Sequence, residues 1–161
     1  DLLTQVVGRA GRGQYKGTAV IQTCNPENAV IQIAARQDYD AFFKDELKTR
    51  KILIYPPYCD ICLIGFIGEN EPKVRVASQK YTDRLKEKLS GEYKDLKIIA
   101  LGPMTARVSK ISNKFRYRLI LKCKNTKRFR ALMNELLKYT GTDKAYNDVS
   151  VYIDINPENI I

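Results

Sequence analysis

Between Lys114 and Lys124 the side chains change character at every step. Lys114, Arg116, Arg118, Lys122 and Lys124 hold the even positions, and Phe115, Tyr117, Leu119, Leu121 and Cys123 hold the odd ones; Ile120 alone breaks the basic row. A β-strand sends successive side chains to opposite faces, so this segment needs a sheet whose one face enters a core while the other carries charge. A slip of one residue would put five cations into the core, which pins the register. The charge is also of one sign. From Thr105 to Arg130 there are ten basic residues and no acidic one, the others being Arg107, Lys110, Lys127, Arg128 and Arg130. Like charges side by side destabilise a sheet face, so the pattern favours a track for phosphates. The competing account is an ordinary lysine-rich solvated face.

The neighbouring patterns place this strand in a domain. Tyr58 to Ile67 is almost wholly apolar, as a central strand should be. Pro72 to Leu89 carries Val74, Ala77, Tyr81, Leu85 and Leu89 at helical spacing. Lys97 to Lys110 reads as an extended stretch bent at Gly102-Pro103, since proline donates nothing to a ladder. Ser112-Asn113 suits a hairpin tip. Lys127 to Tyr139 predicts a second helix that buries Phe129, Leu132, Met133 and Leu136, and Val149, Val151, Ile153 and Ile155 alternate in a last strand. This order is the split βαβ, or ferredoxin-like, pattern of an α+β domain.

Upstream, Asp1 to Val7 has helical spacing, and Gly17 to Thr23 alternates like a strand closed by Asn25-Pro26. Glu27 to Ala35 predicts a helix. Another starts at Asp38, whose carboxylate can cap it, with Tyr39, Phe42, Phe43 and Leu47 on its apolar stripe and Lys48, Arg50 and Lys51 in its last turn. Pro56-Pro57 ends it and sets the domain boundary, dividing 1–55 from 56–161.

The 161 residues suit one domain and part of another. The net charge of +10 is unevenly spread: residues 1–55 hold 8 basic and 6 acidic side chains, and 56–161 hold 20 and 12. A basic second part points to nucleic acid or an acidic partner segment. Histidine is absent, which excludes Ser-His-Asp and Cys-His nucleophile pairs and imidazole-ligated zinc. Cys59-Asp-Ile-Cys62 has half a metal knuckle's spacing, but no second Cys-x-x-Cys completes it, and in a strand the two thiols face opposite sides. Cys24, Cys59, Cys62 and Cys123 are expected to be reduced structural thiols. The longest clean apolar run, Ile61 to Ile67, is far short of a membrane span. A chain that starts without methionine, in the middle of a motif, reads as a fragment of a larger cytoplasmic protein.

That motif is Gln5 to Arg12, Q-V-V-G-R-A-G-R, followed by Gly13. Arginine presents a planar fork of donors that grips phosphate oxygens in pairs, and glycine lets the backbone approach a ligand closely. A nucleotide's terminal phosphates fit this constellation. So does a flexible Gly/Arg loop that clings to any nucleic acid.

Q-x-x-G-R-x-G-R is similar to the sixth motif of superfamily 2 helicases, and the form with alanine between the arginines resembles the primosomal replication-restart helicase family. The resemblance continues through Asp38-Tyr39-Asp40-Ala41-Phe42, Glu46-Leu47, Arg50 and Tyr55-Pro56-Pro57-Tyr58. It returns at Leu101-Gly102-Pro103, Phe115-Arg116-Tyr117 and Asp154-Ile155-Asn156-Pro157. It implies the end of a RecA-like second motor lobe followed by a ferredoxin-like C-terminal domain similar to a small ribosomal-subunit protein. It further implies an ATP-dependent 3′ to 5′ DNA helicase that recognises stalled or branched forks and starts primosome assembly.

On that resemblance Arg9 and Arg12 would act as arginine fingers on the γ-phosphate, and Gln5, Gly8 and Gly11 would contact the nucleotide. ATP and magnesium would belong to the full-length protein, as would a zinc module upstream of this chain whose ligands Cys59 and Cys62 do not match. The chain holds no G-x-x-x-x-G-K-[ST] loop, and Asp45-Glu46 falls in a helix, away from any magnesium-box context. Alone it is expected to hydrolyse no ATP and to need no cofactor. The implied partners are branched and single-stranded DNA, single-stranded-DNA-binding protein and other primosome proteins, with no membrane, and a monomeric, cytoplasmic, nucleoid-associated protein is expected. Arg107, Lys110, Lys114, Arg116, Arg118, Lys122, Lys124, Lys127 and Arg128 are the candidate contacts to DNA or partner, the last two by charge alone. The alternative is a non-enzymatic basic nucleic-acid-binding module; another superfamily 2 helicase would lack the later landmarks.

Overall fold

A computed structural model describes residues 5, 9, 18–36 and 38–158. The chain divides into two compact units between Leu53 and Ile54. In the first, α1 (Ala29–Arg36) is followed by α2 (Tyr39–Ile52). Asp38 caps α2 as its residue type predicts, accepting a hydrogen bond from the Ala41 N–H at 2.9 Å, a contact of the kind that contributes about 1 kcal/mol. Arg50 closes the far end by pairing with Glu46 one turn back at 2.7 Å. Residues 18–23, expected as part of a strand, form none. Alternation supplies two faces, but a strand also needs a neighbour for its backbone groups, and the one sheet among the described residues draws all its strands from 60–155.

The second unit runs β1 (Asp60–Gly68), α3 (Glu71–Ser90), β2 (Ile99–Ile111), β3 (Lys114–Cys123), α4 (Lys127–Thr140), a 3₁₀ turn (Lys144–Tyr146) and β4 (Val149–Ile155). The sheet order is β2-β3-β1-β4, antiparallel throughout. Apolar β1 is thus an interior strand, as its composition predicts. Asn70 caps α3 by accepting from the Lys73 N–H at 3.1 Å, and Thr126 caps α4 by accepting from the Phe129 N–H at 3.1 Å. Ser112 and Asn113, at φ 50° and 61°, form the two-residue tip joining β2 to β3, the geometry whose twist matches that of paired strands. β2 changes register twice, between Leu101 and Met104 and between Thr105 and Lys110. The first change falls at Gly102-Pro103, where the bend was expected.

Cys62, Ile64 and Phe66 of β1 and Leu119, Leu121 and Cys123 of β3 face the helices and pack on Val74, Tyr81, Leu85, Phe129, Leu132 and Leu136. The rings of Phe66 and Tyr81 meet edge-on at 5.5 Å, an arrangement that adds roughly 0.5–1.5 kcal/mol beyond the area it buries. Burial pushes the thiols of Cys62 and Cys123 up to about 12, so both stay protonated at neutral pH. Cys59, just before β1, donates its thiol to the Ile54 carbonyl at 3.2 Å. No helix among the described residues is long and apolar enough to cross a membrane.

Candidate nucleic-acid interface

All of this unit's helices pack on one side of the sheet, leaving the other side bare of them. The antiparallel register arranges that bare face in rows. Ile61, Lys122 and Ile99 form the first, and Asp154, Leu63, Ile120 and Leu101 the second. Tyr152, Gly65, Arg118 and Met104 form the third, and Ser150, Ile67 and Arg116 the fourth. The even positions of β3 therefore share one face, as the alternation predicts.

Their surroundings differ from those of an ordinary solvated row. Arg116, Arg118 and Lys122 are half-buried, because apolar residues of the flanking strands stand beside their stems. Long cationic side chains commonly lay their methylenes on such surface and keep the charge outward. The Nε of Arg116 is nonetheless buried and has no hydrogen-bond partner among the described residues. The Lys122 ammonium lies 3.8 Å from the ring centroid of Tyr55. Tyr117, on the core side as expected, donates its hydroxyl to Glu71 at 3.2 Å; burial, with that bond second, raises its pKa.

The other candidates scatter. Lys114 is exposed at the hairpin end of β3 and Lys124 just beyond its other end. Lys110 sits 4.9 Å over the Phe115 ring. Lys127 opens α4 and is exposed. Arg128 is committed within the fold: it pairs with Asp95 at 2.8 Å, donates to the Glu92 carbonyl at 2.6 Å and stacks on Tyr93 at 4.9 Å. Arg107 belongs to β2, but its side chain lies outside the described residues. In the upstream motif, Gln5 is helical and Arg9 sits in a turn, both exposed, while Gly8, Gly11 and Arg12 lie outside the described residues.

Sequence reasoning overlooked Tyr152. It points outward from β4, 44% exposed, with its ring across the β1 backbone at Gly65, where an added Cβ would fall 2.1 Å from the ring's Cε1. The available signal was a glycine inside an otherwise apolar strand, which marks a close approach.

The chain belongs to the primosomal protein N C-terminal domain family. The family's model matches residues 51–158, which contain the whole sheet. Along the full chain the similarity extends to proteins named replication restart protein PriA. That of Bacillus subtilis is 32% identical over 98% of this chain and 19% of its own length. The Borreliella burgdorferi protein is 34% identical over 99% of this chain and 23% of its own, and the Thermotoga maritima protein 35% over 89% and 18%. The chain thus spans about a fifth of the length of these relatives. The C-terminal domain of the primosomal protein N family is here a mixed α+β unit on an antiparallel sheet.

Proposed function

We propose that this chain is the DNA- and partner-binding end of an ATP-dependent 3′ to 5′ helicase that recognises stalled or branched forks and starts primosome assembly for replication restart. The carrying observation is the one-signed bare face of β3, where Arg116, Arg118 and Lys122 share a surface and the stretch around them holds no acidic residue. The relatives' shared name, replication restart protein, supports the process. The order β2-β3-β1-β4 supports a ferredoxin-like fold for 56–161, and the Gln5 to Arg12 motif supports a RecA-like lobe before it. In the full-length protein that motif would meet ATP and magnesium. A basic face of this kind also suits the acidic tail of a single-stranded-DNA-binding protein.

Binding of forked and single-stranded DNA by the 161-residue chain, measured by anisotropy across salt concentrations, tests the assignment. The triple change Arg116→Glu, Arg118→Glu and Lys122→Glu is expected to weaken binding and to flatten the log–log salt slope by about 2 to 3. Unchanged affinity and slope would overturn it.

A further inference from the structure

We infer that Tyr152, seated on Gly65, is a stacking platform for one base of single-stranded DNA, and that Arg116 and Arg118 hold the flanking phosphates. The inference rests on the DNA-binding assignment and adds to it a ligand form and a site.

The register places Tyr152, Gly65 and Arg118 side by side in one row, with Arg116 in the next. Glycine at 65 is what lets the phenol ring cross the β1 backbone there, since any Cβ would collide with it. In that seat Tyr152 is 44% exposed, so its ring is within reach of a base from solvent, and with two rotatable bonds it loses little freedom in stacking. Leu63 and Ile67 flank it on β1 and line one cavity with it, giving apolar surface that suits a base and not a sugar-phosphate chain. The guanidinium groups beside it supply the phosphate contacts: Arg116 and Arg118 are only half-buried, with their stems against the sheet and their charge outward. Asp154 is the only acidic side chain in these rows, so the face is complementary to a polyanion. Duplex DNA keeps its bases stacked on each other, whereas a single strand can lay one on the ring.

An oligothymidylate carrying one 2-aminopurine provides the readout with the 161-residue chain. Its fluorescence should be quenched on binding. Tyr152→Ala should abolish the quenching and weaken binding about tenfold with the salt slope unchanged, and Tyr152→Phe should retain both. Gly65→Ala, which drives the ring off its seat, should behave as Tyr152→Ala. Unquenched 2-aminopurine with the wild-type chain overturns the site without any variant. So does equal affinity of wild type and Tyr152→Ala for the single strand. If the triple charge reversal lowers affinity and slope while Tyr152→Ala changes neither, the electrostatic assignment stands and the platform falls. A loss in Tyr152→Ala toward an acidic peptide but not the oligonucleotide overturns it in favour of a protein partner.

Discussion

Asp143 is gripped by three donors: the Lys80 ammonium at 2.5 Å, the Tyr139 hydroxyl at 2.5 Å and the Ala145 N–H at 2.9 Å. Together, with Lys80 foremost, they hold its carboxyl well below the usual aspartate range. Because the folded pKa is depressed, the stabilisation is complete above the unfolded value of about 3.9 and fades as pH falls through the folded one. Asp143→Asn should therefore lower the urea midpoint at pH 6, and its deficit against the wild type should shrink between pH 4 and pH 2. A deficit that stays constant across that range would show that the charge on Asp143 contributes nothing. None of this was legible in the sequence, since Lys80 reaches Asp143 from another helix. Asp38 was legible because capping is settled within three residues. Arg128 was legible as a charge but not as one already engaged by Asp95.

Asn156 locks β4 to β1. Its side-chain oxygen accepts from the Ile61 N–H at 3.0 Å, its amide donates to Asp60 at 2.9 Å, and its own N–H reaches the Ile61 carbonyl at 2.7 Å. The bond from Asn156, then one from the Asn125 N–H, lowers the Asp60 pKa. At φ 55° Asn156 also occupies a left-handed conformation that asparagine tolerates better than alanine. Asn156→Ala should cost about 2 kcal/mol in urea unfolding, and Asn156→Gly less, because glycine recovers the backbone share; an equal loss in both would remove the backbone argument. The strands themselves were readable where one segment contains its own signal. The alternation of β3 fixed which side faces the core, and the apolar run of β1 placed it inside the sheet. What surrounds Arg116 and Arg118 was not readable, because cross-strand neighbours depend on register and Tyr152 arrives from a strand far along the chain. For residues 18–23 the local pattern was present and the pairing partner was not.

For the molecule as a whole, every buried apolar residue among those described, from Ile61 to Val149, lies in the second unit, while α2 buries none. Residues 54–161 made alone should therefore give a single cooperative urea transition in the tyrosine near-ultraviolet signal, and a gradual, uncooperative one would mean that this core is insufficient by itself. The same unit faces a hazard at its margin. β2 runs along the outside of the sheet, and an outer strand with evenly spaced unpaired N–H and C=O groups invites a further strand to add to it. Two register breaks interrupt that spacing, and Pro103 has no N–H to offer. A passing unfolded segment thus finds no continuous template there, and the domain can keep an apolar, cationic face open without its β2 edge seeding fibrils.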